Sequence, residues 1–88
     1  MNEDSEELYG IIRRAVTKAA AVGISESDLR PDKHLYYTYG IDSMSIQVLI
    51  LELEKELEIQ IPEDHYDTNY FSTIGSIYTY LLMGLYNK

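Results

Sequence analysis

The sequence predicts an all-α fold, a small four-helix bundle of three main helices and one short helix, with a long loop between helices one and two. Apolar residues recur every three or four positions in three separate segments, and no segment alternates apolar and polar residues as a strand does. The 88 residues suffice for one domain. We expect that domain to span 1–88, with its core at about 5–85.

The first helix is predicted over about 5–22. Its apolar residues share one face and are Leu8, Ile11, Ile12, Ala15, Val16, Ala19 and Ala20. Acidic residues gather at its start, where Asp4 and Glu7 form a capping arrangement and suit the positive end of the helix dipole. Gly23 follows the last apolar residue, and we expect it to cap the helix in the left-handed conformation.

Residues 23–41 are predicted to form the long loop, because turn-forming residues are frequent there. A stretch of this length without secondary structure is uncommon in a compact domain, and such a stretch is usually functional or partly helical. The loop contains Tyr36, Tyr37 and Tyr39. These rings either line a pocket for an acyl group or cover the core of a small domain, which is the commoner role of amphipathic rings.

The second helix is predicted to begin at about residues 42–43 and to end near Leu57. Asp42 is a good N-cap residue, which places Ser43 in the first turn. The residues expected to face the core are Ile46, Leu49, Ile50, Leu53 and Leu57. The core stripe therefore begins within the first turns of this helix.

Three apolar residues of the second helix, Met44, Val48 and Leu51, lie opposite its core stripe, where an ordinary surface helix is polar. The acidic residues that we assign to the rim of this apolar strip are Glu52, Glu54 and Glu58. An exposed apolar strip with a rim of carboxylates is typical of a docking site for other proteins. The alternative is that the loop at 23–41 folds back and covers the strip.

Beyond the second helix, Pro62 ends the preceding structure, and a short helical turn is predicted over 63–70. Ser72 or Thr73 is expected to cap a last helix over 74–85. The residues that keep helical spacing in it are Ile74, Ile77, Tyr78, Leu81, Leu82 and Leu85. This helix completes the three main helices of the predicted bundle.

The amino-acid composition argues against several classes of function. Seven basic against 15 acidic residues give a net charge of −8, which argues against nucleic-acid binding and favours partners with Lys/Arg patches. Cysteine is absent, so disulfides and thiolate metal sites are excluded, and we expect a cytoplasmic protein. The longest aliphatic run, residues 48–51, is far shorter than the ~20 residues of a membrane span. The acidic start precedes no apolar signal core.

The polar residues do not form a pattern typical of an enzyme. His34 and His65 lie 31 positions apart, and neither is expected to belong to a catalytic or metal site. Ser43 lacks the nucleophile-elbow and oxyanion-hole signatures of a hydrolase. We therefore expect no catalytic residue and no metal ligand in this chain.

The stretch Gly40-Ile41-Asp42-Ser43-Met44 resembles the phosphopantetheine attachment motif of the acyl carrier protein family, Gly-x-Asp-Ser-Leu. The first helix, the long loop, the segment 54–64 and the segment 71–74 follow in that family's order, and the resemblance covers about 5–85. It implies a 4′-phosphopantetheine arm on Ser43, whose thiol carries acyl or related intermediates as thioesters to biosynthetic enzymes. It also implies that Asp42 takes part in recognition by a phosphopantetheinyl transferase.

The resemblance implies a monomeric, non-catalytic carrier. Its partners would be the transferase, a ligase that loads acyl or aminoacyl groups, and downstream enzymes with basic and apolar docking patches. Met44 replaces the family's leucine, and Ser45 and Val48 occupy positions that are often acidic in fatty-acid-type carriers. These departures favour a discrete aminoacyl or peptidyl carrier, or one for a polyketide-type starter. The other alternative is an unmodified helical protein-interaction module.

A helix N-terminus is physically suited to a phosphodiester. Its first backbone N–H groups have no partner within the helix, and its dipole is positive at that end. A modified Ser43 would place its anion in this field, which favours an exposed anion by about 0.3–1 kcal/mol.

Overall fold

Four α-helices and two single turns of 3₁₀-helix make up the fold of this protein, seen in a computed structural model that describes residues 3–20, 23–66 and 70–85. The α-helices are α1 (Glu3–Ala19), α2 (Leu35–Tyr39), α3 (Ser43–Leu57) and α4 (Ile74–Tyr80). The 3₁₀ turns are Glu26–Asp28 and Glu63–His65, and a π-helical turn, Leu81–Leu85, continues α4. The predicted all-α class is confirmed.

The first helix is shorter than predicted. It ends at Ala19, whereas the sequence predicted an end at residue 22. Residues 21–22 lie outside the described part of the chain, and so does the proposed cap at Gly23, which depends on them. The predicted core face of α1 is buried, with Leu8, Ile12 and Val16 completely inaccessible to solvent.

A short helix that the sequence did not predict, α2, lies inside the predicted loop. The short helical turn predicted over 63–70 is present as a 3₁₀ turn at Glu63–His65, and residues 67–69 lie outside the described part. The ring of His34 caps α2, because its Nδ1 accepts hydrogen bonds from the backbone N–H groups of Tyr36 and Tyr37 at 3.1 and 3.4 Å. Histidine is not a usual N-cap residue, so the sequence gives little sign of this helix.

One contiguous core holds the helices together. The residues at its centre, all with at most 2 % of their surface exposed, are Leu8, Ile12, Val16, Leu35, Ile41, Leu49, Ile50, Leu53, Ile74, Ile77 and Leu81. Helix α1 packs against both α3 and α4. At its edges, Tyr9 stacks on Tyr78 at 4.1 Å between ring centroids, and Lys18 pairs with Glu52 at 3.5 Å.

Backbone hydrogen bonds tie the connection between α1 and α3 to the start of α4. The N–H of Leu35 donates to the carbonyl of Ser72 at 2.7 Å, and the N–H of Gly75 donates to the carbonyl of Pro31 at 3.0 Å. The approach is close, since a Cβ at position 75 would lie 3.2 Å from that carbonyl oxygen, which would have to move by a few tenths of an ångström. The connection is therefore fixed at a defined place, and it carries α2 to the N-terminus of α3.

The helices of the described residues are all too short or too polar to cross a membrane.

Candidate functional site

The turn before α3 is built from residues with distinct backbone roles. Gly40 adopts φ 72°, the left-handed conformation that ends α2 and that glycine adopts without steric cost. Ile41 follows it and is buried in the core, with its N–H bonded to the carbonyl of Leu35 at 3.1 Å. The chain therefore enters α3 with residue 41 anchored inside and the next residues on the surface.

Asp42 is the N-cap of α3, as predicted. Its Oδ1 accepts a hydrogen bond from the N–H of Ser45 at 3.0 Å, and its carbonyl accepts one from Ile46 at 2.8 Å. The bond from the Ser45 N–H lowers the pKa of the Asp42 carboxyl below its usual 3.8. A carboxylate is therefore present beside Ser43 at neutral pH.

Ser43 is the first residue of α3, and its side chain is exposed to solvent. Among the described residues, no side chain hydrogen-bonds its hydroxyl group. A hydroxyl at an exposed helix N-terminus can be reached by an external enzyme, and the backbone there favours a phosphate group. The residues present thus fit a phosphodiester link at this position.

A partly open pocket of about 550 Å³ lies directly beside Ser43. Its lining residues are His34, Tyr36, Tyr37, Ile41, Asp42, Ser43, Ile46, Gln47, Tyr66 and Phe71. Tyr36 and Tyr37 are therefore exposed pocket residues and do not cover the core. Tyr39 has a structural role, because its hydroxyl accepts from the N–H of Arg30 at 2.9 Å and donates to the carbonyl of Asp28 at 3.2 Å.

The apolar strip of α3 is exposed. Met44, Val48 and Leu51 have 75 %, 43 % and 62 % of their surface accessible to solvent. The alternative in which the loop at 23–41 covers the strip is wrong, because that loop is tied to the start of α4. Large apolar side chains exposed in a row on one helix are typical of a protein-docking surface.

The acidic residues assigned to the rim have different surroundings. Glu52 pairs with Lys18 of α1, and the Oε2 of Glu54 accepts a hydrogen bond from the N–H of Ile61 at 2.8 Å. Both carboxylates are thus engaged within the chain. Glu58 is exposed at the C-cap of α3, where it adopts the left-handed conformation with φ 55°. Its carboxylate lies at the end of the helix far from Ser43.

The two histidines do not converge. His34 lines the pocket and caps α2, whereas His65 bonds through Nδ1 to the hydroxyl of Tyr80 at 2.6 Å. Sequence reasoning missed His34, Gln47, Tyr66 and Phe71 as neighbours of Ser43. The packing of the chain after α3 against α2 brings Tyr66 and Phe71 there, and no local pattern in the sequence signals that contact.

The comparisons with known proteins agree with this geometry. The family described as "Phosphopantetheine attachment site" matches residues 12–81. The chain is 33 % identical to an acyl carrier protein of Amoebophilus asiaticus over 88 residues, which is all of both chains. It is 29 % identical to an acyl carrier protein of Chlorobium phaeobacteroides over 77 residues, 88 % of each chain. Among solved structures, none matches significantly.

The family match extends over most of the chain and includes the turn and helix that present Ser43. It indicates a covalently attached 4′-phosphopantetheine group. Acyl carrier proteins are non-catalytic carriers, in keeping with the matched attachment family and the similar chains. From the match over residues 12–81 and the full-length similarity to an acyl carrier protein, we conclude that this chain belongs to the acyl carrier protein family.

Proposed function

We propose that Ser43 carries the 4′-phosphopantetheine group and that the chain delivers acyl or related intermediates, held as thioesters on that arm, to biosynthetic enzymes. The observation that supports this most is the exposed Ser43 at the N-terminus of α3, directly after the capping Asp42. The sulfur that carries the cargo would come from the arm, since the chain has no cysteine.

A phosphopantetheinyl transferase would attach the arm from coenzyme A. The Ser43 oxygen would attack the phosphorus that bears the pantetheine, the phosphoanhydride bond would break, and adenosine 3′,5′-bisphosphate would leave. The hydroxyl proton would pass to a base of the transferase. This chain contributes the exposed hydroxyl and the positive end of α3, which favours the phosphodiester anion by about 0.3–1 kcal/mol.

The proposed docking surface for partners is the apolar strip of Met44, Val48 and Leu51. It starts one residue after Ser43, so an enzyme that contacts it also reaches the arm. The proposed partners are the transferase, a loading ligase and downstream enzymes with apolar and basic patches. The neutral residues Ser45 and Val48 favour a dedicated carrier over one for fatty-acid synthesis. We predict that the carrier is a monomer and that it lies in the cytoplasm.

Mass spectrometry tests the attachment. After incubation with a transferase and coenzyme A, the wild-type chain should gain the mass of one phosphopantetheine, and Ser43→Ala should gain none. Ser45→Ala is the matched control, because Ser45 lies on the same helix and should leave the modification unchanged. An unmodified wild type, or an arm still attached to Ser43→Ala, would contradict the proposal.

The exposed strip also favours a second candidate, an unmodified protein-interaction module. In that case Ser43→Ala would keep its activity in the cell, and Leu51→Glu would lose partner binding. A carrier, in contrast, loses its activity with Ser43→Ala even when the apolar strip is intact. Testing whether Ser43→Ala restores function in cells that lack the wild-type protein therefore distinguishes the two candidates.

A further inference from the structure

We propose that Lys55 belongs to the docking surface of α3 and that the partner enzyme pairs with it through a carboxylate at the far end of an apolar patch. The inference rests on the proposed function, because it concerns enzymes that dock on the apolar strip to reach an arm on Ser43. It specifies a charge that such an enzyme places in the contact, and this charge is opposite to the one that the net charge of −8 favours.

Lys55 lies on the same face of α3 as the apolar strip. Successive residues are about 100° apart around a helix, so the positions four, seven and eleven residues after Met44 point in nearly the same direction. Val48, Leu51 and Lys55 occupy these positions, and all three are exposed. The Cα of Lys55 lies about 6 Å along the helix axis beyond that of Leu51 and about 18 Å beyond that of Ser43. The strip therefore ends in a cation.

The carboxylates beside the strip are engaged within the chain. Glu52 pairs with Lys18 of α1 at 3.5 Å, and the Oε2 of Glu54 accepts a hydrogen bond from the N–H of Ile61 at 2.8 Å. In the part of the chain that the structure describes, Lys55 has no ion-pair partner. Its ammonium group can therefore pair with a carboxylate of another protein.

Two exposed carboxylates near Lys55 do not belong to this face. Glu56 follows Lys55 on the helix and points about 100° away from it. Glu58 lies past the end of α3, at its C-cap. Between Ser43 and Lys55 the exposed face carries the apolar strip and the uncharged Gln47. The charge that a partner meets at this end of the strip is therefore positive.

The charges at the two ends of the strip have opposite signs. Asp42 provides a carboxylate beside Ser43, and its pKa is lowered by the hydrogen bond from Ser45. Lys55 provides the cation at the other end. Complementary charges across an interface fix its orientation, so a partner with a basic group near its active site and a carboxylate about 18 Å away docks in one direction only. That direction places its active site over Ser43.

A simpler role for Lys55 concerns the helix alone. It lies in the last turn of α3, where a cation interacts favourably with the negative end of the helix dipole. This role predicts that a substitution lowers stability and leaves docking unchanged. The experiment therefore measures both quantities.

The first measurement is kcat/KM of a phosphopantetheinyl transferase from the same organism, with the full chain and coenzyme A as substrates. Lys55→Gln should lower kcat/KM about twofold to fivefold, the range that one exposed ion pair represents, and Lys55→Glu should lower it at least about fivefold. Lys55→Arg keeps the charge and should keep kcat/KM. Arg14→Glu makes the same charge reversal at an exposed position of α1 and should also leave kcat/KM unchanged.

Salt and cross-linking test the contact itself. Raising the salt concentration should narrow the difference between the wild type and Lys55→Glu, because salt screens exposed charges. A carbodiimide joins a lysine amine to a carboxylate as an amide with loss of water. In the wild type it should link Lys55 to an aspartate or glutamate of the transferase. Lys55→Arg lacks the amine, so it should lose this cross-link while it keeps kcat/KM.

Three results would each overturn the proposal. A higher kcat/KM for Lys55→Glu would show that the partner is basic at this point. An equal fall for Arg14→Glu would show an effect of net charge alone. Unchanged kcat/KM in Lys55→Glu, with lower stability in urea unfolding, would leave only the role in the helix dipole. If Lys55→Glu does not fold, Lys55→Gln and the cross-link decide. Failure of the proposed function differs, since the wild type would then gain no arm on Ser43.

Discussion

Asp42 fixes the first turn of α3 and also sets the charge beside Ser43. Its carboxylate accepts the N–H of Ser45, one of the donors that a helix start leaves without a partner. The sequence predicted this cap because aspartate before an apolar-periodic segment is a common helix start. The structure also shows that the hydrogen bond from Ser45 lowers the pKa of the Asp42 carboxyl, so the cap is weakened when acid protonates this carboxylate.

The lowered pKa predicts a pH dependence of stability. Asp42 stabilises the fold fully above the unfolded pKa of 3.8, and this contribution is lost as the pH falls through the lower folded pKa. Asp42→Asn keeps a capping oxygen that does not titrate. On acidification from about pH 6 to about pH 3, urea unfolding should show a larger loss of stability for the wild type than for Asp42→Asn. Parallel losses in the two proteins would contradict the assigned cap.

His34 shows what sequence reasoning could not provide at the level of single residues. The capping role of its ring depends on a backbone conformation that the sequence does not reveal, so α2 was expected to be loop. Asp42 and Thr73 were predictable, because both belong to the residue types that cap helices through short oxygen-bearing side chains. The starts of α3 and α4 could therefore be predicted from their cap residues, and the start of α2 could not.

Helix α3 is apolar on two opposite faces. Leu49 and Leu53 are fully buried, whereas Met44 and Leu51 are largely exposed. Helical periodicity alone separated these two faces, because consecutive residues are about 100° apart around the axis. Periodicity could not show which glutamates of α3 are free to face a partner. Glu52 pairs with Lys18 of α1, and Glu54 accepts a hydrogen bond from the N–H of Ile61, in the chain after α3.

We expect charged substitutions on the exposed apolar face of α3 to weaken the docking of partner enzymes without affecting folding. Met44→Glu and Val48→Glu place a charge in a contact that must lose its water on docking, so each should lower kcat/KM of the transferase about tenfold or more. Circular dichroism should be unchanged, because both side chains are exposed. Thr79→Glu adds the same charge to an exposed position of α4 and should leave kcat/KM unchanged. Loss of helical signal in Met44→Glu would show that the strip supports the core.

At the scale of the whole molecule, a small bundle depends on a single core. A chain of 88 residues is expected to be stable by about 4–13 kcal/mol. Leu53→Ala removes a fully buried side chain between the helices and should cost about 2–5 kcal/mol in urea unfolding. Leu51→Ala, two positions away and 62 % exposed, should change stability by less than about 0.5 kcal/mol. Similar costs for the two variants would contradict the packing of α3.

The class of the fold could be predicted from the sequence, and the pocket could not. Three long segments with helical periodicity decide the class, because each must bury its apolar face against another. The pocket arises where α2, the start of α3 and the residues around Tyr66 and Phe71 meet. Contacts between residues so far apart along the chain follow from packing, which no pattern within one segment encodes.

Gly75, at the start of α4, contacts a segment of the chain that lies far from it in the sequence. Its amide is bonded to the carbonyl of Pro31, and a methyl group there would press against the same oxygen. A side chain at position 75 would require the Pro31 carbonyl, in the segment that leads to α2 and Ser43, to move by a few tenths of an ångström. The backbone that precedes the attachment point is therefore held in part by a residue that lies far from it in the sequence.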